Sequence, residues 1–376
     1  MAKFARLRSL DRRVWLLVAG ILSVLLRYFA AAYPDLTEQW YGRGLFCVGR
    51  TVWDYTLGWS PVPLIYVTVG GLGLWIFWGF VRWFRAAASP IRPHHWLGNV
   101  LLNIGAAMGV FVGLFLVQWG YNYCRPPFTA QIGLQVDSLS LPTLRAEAQY
   151  MTQKCTESRR AIPHVTDGVM DTPYDQDFLD LEVAVRRELV IVLHDFGFPT
   201  PGRVRGRLLY PAGILLRNNT AGVYLPWVAE GHIDAGLHPL QMPFTLAHEL
   251  AHGYGFTDEG VCNFLAYLAC ERCTDPRIRY SGRLAYWRYV FAALRRQSTS
   301  AYLLERAKIS PGMFHDLMAI KDNMAQYPDF LNGLQASAYD GYLKSQGVKA
   351  GMASYDAIVQ MTVAWRKKSA DTRPNE

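Results

Sequence analysis

The amino-acid sequence predicts a mainly helical α+β protein, in which three N-terminal transmembrane helices precede a domain with a small sheet and a helical C-terminal half. Apolar stretches over 14–33, 62–81 and 97–119 each approach the roughly 20 residues that a helix needs to cross a bilayer. Short β-prone runs follow between 203 and 228, and the pattern after Pro243 is almost entirely helical. Charged residues make up 18% of the chain, against a usual share of about 25%, which excludes a disordered chain and a coiled coil.

The three apolar stretches predict a membrane anchor over 1–120. Only Arg27 interrupts the first stretch, and the second contains no charged residue. A buried core helix is an alternative for the first stretch alone, but three such stretches within 120 residues favour membrane spans.

The loop charges predict the orientation of these spans. The first 13 residues hold five basic residues against one acid, and 82–96 contains three arginines. The loop 34–61 instead balances Arg43 and Arg50 against three acids. Basic loops stay in the cytoplasm, so we expect a multi-pass inner-membrane protein with a cytoplasmic N-terminus and an extracytoplasmic C-terminal domain.

The net charge of +8 does not indicate nucleic-acid binding. Its excess of basic residues lies in the N-terminal segment, in 82–96 and in 366–376, while the rest of the chain is about neutral. We therefore expect membrane lipid, and no nucleic acid, as a partner.

Gly105, Gly109 and Gly113 form a small-residue stripe on the third span. Such a stripe lets two helices approach closely. Packing within the three-helix bundle is the favoured explanation, and a homodimer through this stripe is the alternative.

Residues 121–368 are long enough for one domain, followed by a disordered tail over 369–376. Helices are predicted over 141–160, 175–196, 244–254, 259–273, 281–297, 311–326, 328–346 and 352–367. Strands are predicted over 204–209, 213–216 and 222–228, separated by turn residues such as Pro211.

One motif carries the chemistry: His248-Glu249-Leu-Ala-His252. Histidines four residues apart on a helix share one face, where both imidazoles can bind a single Zn²⁺. Glu249 then lies beside the metal and can act as general base on a bound water. Two unrelated histidines on a surface helix are the plain alternative.

The third zinc ligand is open between two neighbouring acids. Glu259 falls in the first turn of the next predicted helix, and Asn263 one turn later could orient a ligating histidine from outside the coordination sphere. Asp258 is the alternative, because it follows His252 by six residues with Gly255 between them. The acid that does not bind metal would be favoured by the helix dipole.

Further residues are candidates for a substrate cleft. The run around Tyr224 could form an edge strand that pairs with an extended peptide, and Pro226 suits an edge. Glu230 and His232 could line the cleft, although solvated loop residues are the commoner case. Tyr280 could donate to an oxyanion, although a core tyrosine is the commoner case.

Six segments together resemble an uncharacterised family of bacterial membrane-anchored HExxH proteins, catalogued as a domain of unknown function. They are WGYNYCRP at 119–126, GVYLPWVAE at 222–230, PFTLAHELAH at 243–252, NFLAYLAC at 263–270, RYSG at 279–282 and YDGYL at 339–343. The resemblance implies membrane helices followed by a zincin-like metallopeptidase domain, and it supplies no substrate. The chain departs from the family pattern at Val261, where that pattern has a further acid.

The sequence thus predicts a membrane-anchored zinc metallopeptidase that acts on peptide or protein substrates in the cell envelope. A non-catalytic zinc- or peptide-binding membrane sensor, or a structural protein with a vestigial HExxH helix, is the alternative.

Overall fold

The structure is a computed structural model that describes residues 11–87, 96–163, 165–168, 178–329, 341 and 357–371. Several predictions fall outside these residues. They concern the basic residues of 1–10, the loop segment 88–95, most of the helix expected over 328–346, the start of the helix expected over 352–367, and the tail beyond Asp371.

The described residues contain twelve α-helices of eight or more residues and three strands. The helices are α1 (Arg12–Ala32), α2 (Phe46–Thr56), α3 (Leu64–Ala87), α4 (Trp96–Gln118), α5 (Leu141–Arg160), α6 (Phe178–Asp195), α7 (Met242–Gly253), α8 (Glu259–Arg272), α9 (Pro276–Gln297), α10 (Thr299–Arg306), α11 (Pro311–Ala325) and α12 (Ala357–Asp371). The strands are β1 (Arg205–Leu209), β2 (Gly222–Leu225) and β3 (Glu230–Asp234). This confirms the predicted class, a mostly helical protein with a small sheet.

The chain divides into two compact units. Unit 1 comprises Met1–Arg125 with Pro226–Ala229, and unit 2 comprises Pro126–Leu225 with Glu230–Glu376. Helix α12 extends to Asp371, so the first three residues of the predicted tail are helical.

Unit 1 contains three helices that are long and apolar enough to cross a membrane, α1, α3 and α4. Large apolar side chains on these helices are exposed, including Leu22, Leu74 and Leu101 at 58%, 72% and 60%. Exposing such a continuous apolar surface to water is energetically unfavourable, whereas the hydrocarbon chains of a bilayer would cover it. The three predicted spans are therefore confirmed as membrane-length apolar helices.

The glycine stripe of α4 packs against α1 of the same chain. A Cβ atom added at Gly109 would lie 2.5 Å from the carbonyl oxygen of Leu16, and one added at Gly20 would lie 2.4 Å from the Cα of Gly109. Gly105 and Gly113 face Leu17 and Ser23. The absence of side chains lets the two backbones touch, so the stripe serves packing within the bundle.

The segment between the first two spans is helical rather than a plain loop. It contains a π-helical stretch, Thr37–Leu45, followed by α2. Buried charges are paired there: Arg50 binds Asp54 at 2.7 Å, and Arg125 binds Glu38 at 2.5 Å.

The turn between β2 and β3 belongs to unit 1. Trp227 stacks on Phe111 with ring centroids 4.4 Å apart, and Trp53 donates a hydrogen bond to the carbonyl of Val228 at 3.1 Å. These contacts hold residues 226–229 against the helices of unit 1.

The sheet of unit 2 has the strand order β1-β3-β2. Strand β1 runs parallel to β3, and β2 runs antiparallel to it. The predicted strand over 213–216 is wrong: this segment forms turns, and Asp234 accepts hydrogen bonds from the backbone of Gly213 and Leu215. The central strand β3 was instead expected to be a loop.

The core of unit 2 surrounds α7 and α8. Leu246, Leu250, Phe264 and Leu265 are fully buried, and helices α6 and α9 pack beside them. Gly206 of β1 leaves the space that Leu246 fills, since a Cβ there would lie 2.1 Å from a Leu246 methyl. The HExxH helix is therefore a central core element, not a surface helix.

Candidate metal site

Helix α7 carries both motif histidines into the interior. Pro243 occupies its first turn, where a missing backbone N–H costs nothing. Every residue from Leu246 to Gly253 is buried, including His248 and His252 at 9% and 7% exposure. One helical turn places the two rings on the same face.

Three ligand atoms converge at one point. The Nε2 atoms of His248 and His252 lie 3.1 Å apart. Glu259 Oε2 lies 3.0 Å from the first of these nitrogens and 3.5 Å from the second. We call these three residues the HHE cluster, and it is the one group of this kind found among the described residues.

The opposite ring nitrogens fix the tautomer of each histidine. His248 Nδ1 lies 2.9 Å from Asn263 Oδ1, and His252 Nδ1 lies 2.8 Å from the carbonyl oxygen of Phe256. Both partners are acceptors, so each Nδ1 must donate a proton. In the neutral imidazoles, both Nε2 atoms then present lone pairs to Glu259, as metal ligands do.

The two neighbouring acids have different positions. Asp258 caps α8, its side chain accepting a hydrogen bond from the backbone N–H of Val261 at 2.9 Å. Glu259 begins the helix, is 3% exposed, and points into the HHE cluster. Gly255, with φ of 93°, makes the turn between α7 and α8 that permits this approach. The carboxylate of Glu259 thus reaches the HHE cluster from the first turn of α8.

The electrostatics of the HHE cluster favour a cation. Burial lowers the pKa of His252, yet the Cys262 thiol and the Glu259 carboxylate raise it well above its ordinary value. Burial also opposes ionisation of Glu259, but the two imidazoles hold the pKa of its carboxyl well below the usual range. Converging acceptors repel one another unless positive charge lies among them, so the residues fit a divalent ion. Two imidazoles and one carboxylate are also the protein ligands of zinc sites that keep one position open.

Glu249 lies beside the HHE cluster against the sheet. A Cβ at Gly222 would lie 2.8 Å from Glu249 Oε1, and a Cβ at Gly231 would lie 2.8 Å from the Glu249 Cβ. The two glycines leave room for the glutamate where β2 and β3 meet α7. Burial raises the pKa of Glu249, although the nearby histidines oppose this. A raised pKa suits a carboxylate that accepts and returns protons near neutral pH.

A cavity of about 950 Å³ opens beside this group. Its walls include His248, Glu249 and Asn263, the start of β2 with the residues before it, and one side of α9. Strand β2 is an edge of the described sheet, with β3 on its other side. The cavity is large enough for several residues of a peptide.

A model of a protein family described as "Protein of unknown function (DUF3810)" matches residues 41–363. The chain belongs to this family. The DUF3810 match includes α7, α8 and Asn263, so the HHE cluster lies within the family domain. No curated protein and no solved structure matches the chain.

Four further predicted site residues of this DUF3810 protein are not among the three ligands of the HHE cluster. Tyr280 is fully buried, and its hydroxyl donates to Asp316 at 2.7 Å, so it is not placed to bind an oxyanion. Glu230 and His232 are fully buried in β3, where Glu230 accepts from Arg207 at 3.3 Å. Tyr224 lies on β2, whose first residue lines the cavity.

Other contributors were missed at the sequence level. Cys262 Sγ lies 3.4 Å from His252 Nδ1, one turn after Glu259 on the same face of α8. The Phe256 carbonyl carries no sequence signal, because any residue supplies one. Gly222 and Gly231 were read only as strand and loop residues. Their close contact with Glu249 depends on how the three strands β1, β2 and β3 pair, which the sequence does not reveal.

Proposed function

We propose that the protein is a membrane-anchored zinc metallopeptidase. The observation that carries this proposal is the HHE cluster, in which both histidine tautomers direct Nε2 lone pairs toward the Glu259 carboxylate. The HExxH spacing, the buried Glu249 and the adjoining cavity support it.

The chain's own residues would hold the ion and keep it in place. His248, His252 and Glu259 would be its protein ligands, while Asn263 and the Phe256 carbonyl hold the two rings in orientation. A bound zinc ion would supply Lewis acidity and lower the pKa of water to about 7.

Glu249 would act as the proton carrier. One of its carboxylate oxygens accepts a proton from the attacking water while the new bond to the scissile carbonyl carbon forms. The same oxygen then returns the proton to the amide nitrogen as the C–N bond breaks. The burial that raises the pKa of Glu249 makes its carboxylate a stronger base toward the water than a fully solvated glutamate.

Strand β2 would position the substrate. An extended peptide could add to the edge that β2 forms in the described sheet by main-chain hydrogen bonds, and Gly222 of this strand lies against Glu249. The loop charges favour a domain outside the cytoplasm, and hence envelope peptides or proteins as substrates.

The decisive experiment compares wild-type protein with Glu249→Gln in detergent, with metal content and peptide cleavage measured on the same samples. We expect the variant to keep its zinc and to lose peptide cleavage by 100-fold or more, roughly the effect of general acid–base catalysis. Cleavage at the wild-type rate by Glu249→Gln would rule out the proposed role. Zinc binding by both proteins without cleavage of any peptide in a broad library would favour the binding function instead.

A further inference from the structure

The cavity beside the HHE cluster has a strongly basic wall. Five basic residues line it: Arg288, Arg295, Arg296, Arg306 and Lys321. Among the described lining residues, Glu249 is the one acid. A concave surface lined by one sign of charge concentrates ligands of the opposite sign.

Arg288 lies at the level of the HHE cluster. Helices α8 and α9 run antiparallel, because Gly282 packs against Cys270 and the rings of Tyr286 and Tyr267 lie 4.5 Å apart. When this residue pairing is continued along the two helices, Asn263 of α8 lies opposite the residues next to Arg288 of α9. Arg288, His248 and Glu249 line the same cavity.

Arg288 has no counter-ion in the described part of the chain. The Arg288 side chain is exposed to solvent and lines the cavity. Its N–H donors can therefore form charge-assisted hydrogen bonds with an anion that enters the cavity.

Two buried acids of neighbouring helices are engaged elsewhere. Glu305 binds Arg145 at 2.9 Å and Lys308 at 2.7 Å, and Asp316 binds Arg159 at 2.7 Å. Two lining arginines are held by aromatic rings instead: Arg295 over Tyr302 and Arg306 over Trp287. Stacked guanidinium groups keep in-plane N–H donors for a ligand.

We propose that this cavity selects peptides that carry a carboxylate near the scissile bond, with Arg288 as its binding partner. The inference rests on the proposed function, since it names the substrate class of the same site. An extended peptide advances about 3.3 Å per residue, so a peptide of a few residues can span a cavity of this size. The carboxylate can be an aspartate or glutamate side chain or a free C-terminus. Arg295, seven residues beyond Arg288, would receive further acids about 10 Å along α9.

The test measures binding apart from cleavage. Full-length, zinc-loaded Glu249→Gln protein in detergent is titrated into three labelled peptides of equal length, followed by fluorescence anisotropy. The first carries aspartates at alternate positions and an amidated C-terminus, the second replaces aspartate by asparagine, and the third is the second with a free carboxylate. The comparison is repeated with Arg288→Gln, Arg288→Lys and Arg160→Gln. Arg160 is an exposed residue outside the cavity, so its variant matches the charge change.

We expect one or both carboxylate peptides to bind about 10- to 100-fold more tightly than the asparagine amide, as for one charge-assisted hydrogen bond. Arg288→Gln should abolish this ratio, Arg288→Lys should keep part of it, and Arg160→Gln should keep it whole. Tight binding of the first peptide alone would identify a side-chain carboxylate. Tight binding of the third peptide alone would identify the C-terminal carboxylate. Arg295→Gln should lower the ratio by a smaller factor.

Three outcomes would overturn the inference: equal binding of all three peptides, an unchanged ratio in Arg288→Gln, or Arg288-dependent binding of short-chain phosphatidylglycerol but of no peptide. Carboxylate-selective binding without cleavage by the wild-type protein would support the inference and refute the peptidase. Cleavage without any carboxylate preference would support the peptidase and refute the inference.

Discussion

Replacing Asn263 with alanine removes the acceptor that orients the His248 ring. Asn263 is 1% exposed, and its Oδ1 lies 2.9 Å from His248 Nδ1. The variant loses a buried hydrogen bond of about 0.5–1.5 kcal/mol and leaves the imidazole N–H unpaired, at a cost of about 1–3 kcal/mol. Partial relaxation of the ring reduces this sum, so we expect zinc affinity to fall roughly 10- to 100-fold, or about 1.4–2.8 kcal/mol.

The assay for Asn263→Ala is zinc competition against a fluorescent chelator, on full-length protein in detergent. Ser281→Ala is the matched control, because this buried hydroxyl lines the same cavity and makes no hydrogen bond within the described part of the chain. Ser281→Ala should bind zinc as the wild-type protein does. Equal zinc affinity of Asn263→Ala and wild type, with both folded, would refute the tautomer argument.

Three further predictions follow from close contacts and capping. Gly222→Ala should keep zinc but lower peptide cleavage at least 10-fold, because the new Cβ would lie 2.8 Å from Glu249 Oε1; wild-type cleavage would contradict the placement of Glu249. Asp258→Ala should lower the free energy of unfolding by about 1 kcal/mol and keep zinc, whereas Glu259→Ala should lose zinc, and the opposite pattern in metal analysis would make Asp258 the ligand. Gly109→Ala should lower the free energy of unfolding in detergent by about 1–3 kcal/mol, because the new Cβ would collide with α1. Gly98→Ala, with no atom within 4 Å of its Cβ, should change it by less than about 0.5 kcal/mol. Equal effects of the two substitutions would contradict the α1–α4 packing.

The features predicted well from the sequence are those with a local physical cause. The spans α1, α3 and α4 follow from helix rise and bilayer thickness. The joint position of His248 and His252 follows from the helical repeat. Glu259 and Asn263 share a face of α8 for the same reason, and Gly255 signals the turn that brings them back to α7.

The features predicted poorly depend on contacts between distant segments. Strand β3 contains Glu230, His232 and Asp234, a composition typical of a loop. Its charges are tolerated in the sheet because Arg207 of β1 binds Glu230, and the backbone around Gly213 binds Asp234. Tyr280 occupies a plausible sequence position for an oxyanion donor, but only the fold pairs it with Asp316.

The basic wall of the cavity was invisible for a similar reason. Arg288, Arg306 and Lys321 belong to three helices, and each looks like an ordinary surface cation in the sequence. Their shared side appears only when α9, α10 and α11 are packed around the cavity. A helical periodicity count on α9 alone would have placed Arg288 and Arg295 on one face, without showing what that face lines.

If His248, His252 and Glu259 hold a divalent metal ion, the metal content of full-length protein must depend on the two histidines. Wild-type protein and His248→Ala/His252→Ala are purified in parallel without chelator, supplied with zinc, desalted, and analysed for bound metal. We predict about one zinc ion per wild-type chain and almost none in the double variant. Equal zinc content in the two folded proteins, or none in the wild type, would show that the HHE cluster is not a zinc site.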